Sequence, residues 1–174
     1  MRRRAWAMAA CCAASVAFGA SVTNGSSVGL SSPRCAPSRL RLTVLDIQGA
    51  AGHRYWEMAL RNVGASSCRL QGYPGVGLLD GHGRLIADNV ERQSGFATPS
   101  VTVARGRRAY FTFAYVVAGP CFPHDFKAYG LEVYPPNDRG RLLLSTHGAL
   151  EVCDRSIGGP PLVYPIRATK ALSS

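Results

Sequence analysis

The apolar residues of this chain fall in short alternating runs between Gly, Pro, Asn and Asp clusters, and no long segment keeps a 3.6-residue period. Alternation marks strands with one buried and one solvated face. Leu40, Leu42 and Val44 alternate within 39–47. Trp56, Met58 and Leu60 do so within 54–62, which sets Tyr55, Glu57 and Arg61 on the wet face. Residues 62–67 read as a turn, and Cys68-Arg69-Leu70 begins the next extended piece. Tyr73-Pro74-Gly75 then interrupts the chain: Pro presets φ and Gly accepts positive φ, so Pro-Gly fits the centre of a type II turn. Residues 76–79 and 85–89 flank Asp80-Gly81-His82-Gly83 as a hairpin, and 91–99 form a polar loop. Residues 100–104 and 108–117 read as the arms of another hairpin, the second arm being apolar on both faces as a central strand would be. Strands at 129–134, 141–145, 150–153 and 162–167 complete the set. The turn spacing predicts an all-β protein, a two-sheet antiparallel sandwich, with a closed barrel as the alternative.

The N-terminus departs from this pattern. Met1-Arg2-Arg3-Arg4 is followed by an Ala-rich apolar run from Ala5 to Ala20. That run is short for the roughly 20 residues of a membrane span. With Ala17-Phe18-Gly19 as a small-x-small site, residues 1–20 read as a cleaved signal peptide. An uncleaved N-terminal anchor and a lipid acceptor at Cys11 are the alternatives, and the anchor would be the protein's only attachment to a membrane. Residues 21–34 read as a Ser/Gly-rich linker, which leaves 35–170 as one domain in a secreted or cell-envelope protein.

Export changes the meaning of the cysteines. With Cys11 and Cys12 inside the signal, Cys35, Cys68, Cys121 and Cys153 remain, an even number that implies two disulfides in an oxidising compartment. Three pairings exist, of which Cys35–Cys68 with Cys121–Cys153 is favoured. Zinc cysteines come in close couples, and no two of these four lie within 30 residues of each other.

The formal charge is +10, or +7 without Arg2, Arg3 and Arg4. Arginine outnumbers lysine 18 to 2, which reads as the codon bias of a GC-rich genome. The densest basic cluster, Arg105-Gly106-Arg107-Arg108, sits at a turn ahead of Tyr110 and Phe111. Export argues against a nucleic-acid partner, and the cluster reads as a solvated turn. Its functional reading is attraction to an anionic envelope polymer or lipid head. Arg105, Arg107, Arg108 and Tyr73 are the candidate binding surface.

No catalytic, cofactor-binding or metal constellation is assigned. His53, His82, His124 and His147 share no metal spacing, and Cys121-Phe122-Pro123-His124 lacks the second His of a copper site. There is no Gly-x-Ser-x-Gly elbow, phosphate loop or dinucleotide fingerprint. The expected function is therefore a non-enzymatic binding or structural module. The alternatives are an envelope hydrolase using His124 and Asp125, and an interaction or inhibitor module for another exported protein.

The stretch from Leu60-Arg61-Asn62-Val63-Gly64 to Ser67-Cys68-Arg69-Leu70-Gln71-Gly72-Tyr73-Pro74-Gly75-Val76 resembles the hallmark of an uncharacterised actinobacterial family of secreted proteins and lipoproteins. That hallmark is an Asn-Thr-Gly-like turn followed by Cys-x-Leu-x-Gly-Tyr-Pro-Gly-Val. Cys35, the hairpin at Val103 to Arg107, Val133-Tyr134-Pro135-Pro136, Val152-Cys153 and a closing strand near Val163 to Ile166 are similar in order. The resemblance spans 35–167 and implies an exported, immunoglobulin-like β-sandwich of unknown function. Within the motif, Gly72 to Gly75 is expected to kink the chain, and Tyr73 to pack its ring on the core while its hydroxyl meets a backbone group. The functional reading of Tyr73 is a binding lip.

Overall fold

Two sheets, antiparallel but for one short edge pair, and a two-stranded ribbon enclose one apolar core. The structure, a computed structural model, describes residues 32–87, 89–117, 119 and 125–171. A 3-10 turn, Pro37–Arg39, leads into β1 (Leu40–Ala50). Then follow β2 (His53–Asn62), β3 (Cys68–Leu70), β4 (Gly75–Leu79), β5 (Leu85–Ala87) and β6 (Glu91–Arg92). The second half holds β7 (Val101–Val103), β8 (Arg108–Val116), β9 (Asp125–Tyr134), β10 (Leu142–Cys153), the one-turn helix α1 (Arg155–Gly158) and β11 (Leu162–Val163). One sheet has the order β1-β2-β8-β11-β6, the other β10-β9-β4-β5, and β3 pairs with β7 in the ribbon.

The alternation read from the sequence sets the core. Trp56, Met58 and Leu60 of β2 and Phe111 and Phe113 of β8 are buried, and they meet Leu78, Leu131 and Val133 of the second sheet in one cluster. β8 is a central strand, paired with β2 on one side and β11 on the other. The β1–β2 hairpin closes through Ala51 and Gly52, both at positive φ (47° and 79°), as a two-residue turn matched to strand twist requires.

Four expectations are corrected. The chain does turn at 104–107, with Arg107 N–H donating to the Ala104 carbonyl at 3.0 Å, but β7 and β8 are not a hairpin. β7 pairs with β3, because the turn is held instead by the end of β2: Gly106 N–H donates to Asn62 O and Asn62 N–H to Arg107 O. Second, the 91–99 segment, expected to be loop alone, carries the two-residue β6, which runs parallel to β11 within the otherwise antiparallel sandwich. Third, 141–145 and 150–153 are one strand, β10, whose register shifts between Ser145 and Leu150. Fourth, Pro74-Gly75 is not the centre of a type II turn: within the expected Gly72 to Gly75 kink the positive φ falls at Gly72 (+103°), whereas Gly75 already belongs to β4, packed against Tyr134.

Asn62 shows why the turn after β2 is rigid. Fully buried, it donates to the Ser66 and Val103 carbonyls at 2.9 and 2.8 Å and accepts from Gly64 N–H at 2.9 Å. Asn62→Ala strands those groups, and a buried unsatisfied group costs about 1–3 kcal/mol. Chemical denaturation of the variant should show a loss in that range, and a change below about 0.5 kcal/mol, the scale of an ordinary surface substitution, would refute this role.

Cys35 and Cys68 form a disulfide, both 2% exposed. Cys153 is also disulfide-bonded, while its expected partner Cys121 lies outside the described residues, as do His124 and the signal and linker segments up to residue 31. No described helix is long and apolar enough to cross a membrane.

Candidate functional site

The outward face of the five-stranded sheet gathers the side chains that strand parity turns away from the core. The outermost row is basic. Arg41 of β1 stands opposite Arg61 of β2, which stands opposite Arg108 of β8, and all three are exposed. None of the three forms an ion pair among the described residues. Arg61 is steadied by its Nε–H donating to the Gly106 carbonyl at 3.1 Å. Like charges directly opposite one another on neighbouring strands are destabilising. Beside the row, Arg107, Arg108, Tyr110 and Ala168 line a concavity of about 420 Å³.

Two residues further along each strand, Tyr110 pairs through its backbone with Arg167, the N–H of each donating to the carbonyl of the other at 2.9 Å. This pairing lays the C-terminal segment over the sheet. The next row holds Glu57 and Thr112. Alternation places Glu57 on the wet face, and it does point outward, yet it is fully buried. Arg167 covers it with a charged hydrogen bond and also donates to the Thr112 hydroxyl at 2.8 Å. Thr112 in turn donates to Glu57 at 3.2 Å, and the Ala171 N–H reaches the other carboxylate oxygen at 3.3 Å. Burial pulls the Arg167 guanidinium below its usual pKa, with the Glu57 charge opposing that shift. The second sheet repeats the device: Glu132, 4% exposed, accepts from Arg141 at 2.8 Å and from the Tyr134 hydroxyl at 3.2 Å.

Past this ion pair opens an apolar cleft of about 520 Å³, walled by Tyr55, Phe96, Pro99, Tyr164, Pro165 and Ile166, with Thr112 and Arg167 also lining it. Its size falls in the range of small-molecule sites. Phe96 and Tyr164 meet edge to face, their centroids 5.2 Å apart, and Phe96 is 52% exposed. Burial raises the Tyr164 phenol above its ordinary pKa, with a smaller push from Tyr55.

The Gln71-Gly72-Tyr73 kink holds both walls. The Tyr73 hydroxyl donates to the Gln93 carbonyl at 2.7 Å, and Gln71 Nε2 donates to the Thr98 carbonyl at 3.2 Å, which ties down the loop bearing Phe96 and Pro99. The Gly72 carbonyl accepts from Ile166 N–H at 2.9 Å, which ties down the opposite wall. The Tyr73 ring packs on the core with Arg92 above it, 5.8 Å from its centroid. Its hydroxyl thus ties Tyr73 to the start of that loop, and Tyr73 is not among the residues that line the basic concavity.

Of the four residues expected to act together, the three arginines lie at one turn and Tyr73 lies in the kink. Arg107 and Arg108 share one concavity, Arg105 sits exposed on the turn beside them, and Tyr73 belongs to the kink. The sequence reading missed Arg41 and Arg61, because a row across three strands depends on register and leaves no local cluster. It missed the cleft for the same reason: its walls come from β2, the 91–99 loop and the C-terminal segment. Asp125, at the start of β9, is described, but His124 is not, so the hydrolase pair falls outside the described residues. Among the described residues no group of three His, Cys, Asp or Glu side chains could hold a metal ion.

No curated protein matches the chain. A family model for DUF4232, a domain of unknown function, matches residues 35–159, from the first disulfide cysteine to just past α1. That match covers well over half of the sequence, and the chain belongs to the DUF4232 family.

Proposed function

We propose that this protein is an exported, non-enzymatic binding module of the cell envelope, and that its ligand presents clustered negative charge to the Arg41–Arg61–Arg108 row. The buried disulfide fits an oxidising compartment outside the cytoplasm. The observation that carries the reading is the row itself, three arginines in register with no ion pair among the described residues. Three guanidinium groups held in register repel one another, so the arrangement opposes stability, and an anion bridging them relieves the repulsion. Arg107 extends the same surface.

The test exploits that opposition. Arg61→Glu converts two repulsive cross-strand pairs into attractive ones, each worth about 0.2–1 kcal/mol. The variant should be at least as stable as the parent in urea, yet bind dextran sulfate about tenfold more weakly at low salt. For the parent, affinity should fall steeply as salt rises, since surface charges are screened within about 10 Å at 0.1 M. Parent protein that ignores dextran sulfate at low salt, or an Arg61→Glu variant that binds it undiminished, would sink the reading.

A further inference from the structure

We infer that the ligand is a single amphiphile, an anionic head group joined to a hydrocarbon chain, with its head on the arginine row and its chain in the apolar cleft. This deepens the reading proposed above and rests on it. The two sites occupy one face of one sheet, and the path between them is short. From Arg108 to Thr112, which lines the cleft, is four residues of β8, about 13 Å at the rise of a strand. Ala168 lines the basic concavity, and Arg167 and Ala171 line the cleft, so one stretch of the C-terminal segment separates the two.

The chemistry of the cleft selects hydrocarbon. Its walls are aromatic rings, prolines and Ile166. Of the polar groups beneath, the Glu57 carboxylate is matched by Arg167, Thr112 and the Ala171 N–H, and the Arg167 Nε is the one buried side-chain nitrogen of the cleft lining without a hydrogen-bond partner among the described residues. A sugar or peptide would bring donors and acceptors that find few partners there, and burying them unpaired is unfavourable. A hydrocarbon chain loses nothing of that kind and gains from every methylene buried. Phe96, about half exposed, is the group such a chain would cover. Among the described residues this face also carries Asp46, opposite Glu57, but the row of three arginines outweighs it and complements an anionic head, not a cationic one.

Titration calorimetry with dodecyl phosphate below its micelle concentration, compared with butyl phosphate, separates the two parts of the ligand. Burying even part of the longer chain should tighten binding by about thirtyfold or more. Phe96→Asp places a charge at the mouth of the cleft on an exposed loop, where it leaves folding intact. It should remove about nine-tenths of the dodecyl phosphate affinity, while dextran sulfate binds as before. Ala97→Trp, which fills the mouth with a bulky apolar group, should do the same. Equal affinity for the two phosphates, or no effect of either variant, overturns the assignment while leaving the arginine reading intact if dextran sulfate still binds. Loss of dextran sulfate binding in the parent protein overturns both. A parent chain that is dimeric in solution and becomes monomeric in Phe96→Asp would put a second copy over the cleft, and would likewise overturn the assignment.

Discussion

Replacing Cys35 and Cys68 together by alanine is expected to lower the unfolding free energy by about 3–4 kcal/mol, the chain-entropy value for a loop of this length. The two cysteines are 33 positions apart, and the loop they close contains β1, β2 and the turn at Asn62. Alanine is the right replacement because both sites are 2% exposed, so serine would add buried hydroxyls to the lost cross-link. The bridge also fastens the entrance of the domain. Cys35 N–H donates to the Arg69 carbonyl at 3.1 Å and Arg69 N–H to the Pro33 carbonyl at 2.8 Å, a pairing two bonds long. So short a pairing holds only while the sulfur link supplies its local concentration. Urea unfolding of the double variant should show a midpoint displaced to lower urea and a slope no smaller than the parent's, because the freed unfolded chain exposes more surface. A loss below about 1 kcal/mol would mean that the unfolded chain already keeps these ends close.

How much of this was legible beforehand follows from the range of each interaction. Strand parity is local, so Leu40, Leu42, Trp56, Met58 and Leu60 read correctly as inward-facing from the alternation of residues alone. The disulfide at Cys35–Cys68 was legible for a different reason: few pairings exist among so few cysteines. Sheet membership was not, since β7 joining β3 and not β8 depends on Asn62 capturing the 104–107 turn from 40 or more residues away. The parallel partner of β6 is also set at long range, by a strand near the C-terminus. Glu57 is the clearest case. Alternation gives the face a side chain points to, but not what later lies down upon that face. Its burial is decided by Arg167, separated from it by 110 positions, and the cleft beside it inherits the same invisibility.

That cover supplies the second large effect. Arg167→Met is expected to destabilise the domain by about 3–5 kcal/mol, the usual cost of removing one partner from a buried ion pair. Glu57 has no exposed surface and would keep only the Thr112 hydroxyl and the Ala171 N–H. Neither carries a charge. The Arg167 side chain keeps 22% of its surface exposed, which moderates its own desolvation and places the penalty on the carboxylate. Lost packing could mimic the effect, because the arginine stem covers apolar surface, but methionine preserves most of that volume. The decisive comparison is the double variant Glu57→Met with Arg167→Met. If the orphaned charge is the cause, removing it as well should recover most of the loss, since apolar groups often replace a buried pair at little cost. If instead the segment is held by its backbone pairing with Tyr110, the double variant will be no better than the single one. Recovery in the double variant would assign the covering of this sheet face, and with it the floor of the cleft, to one charge reaching back across the chain to another.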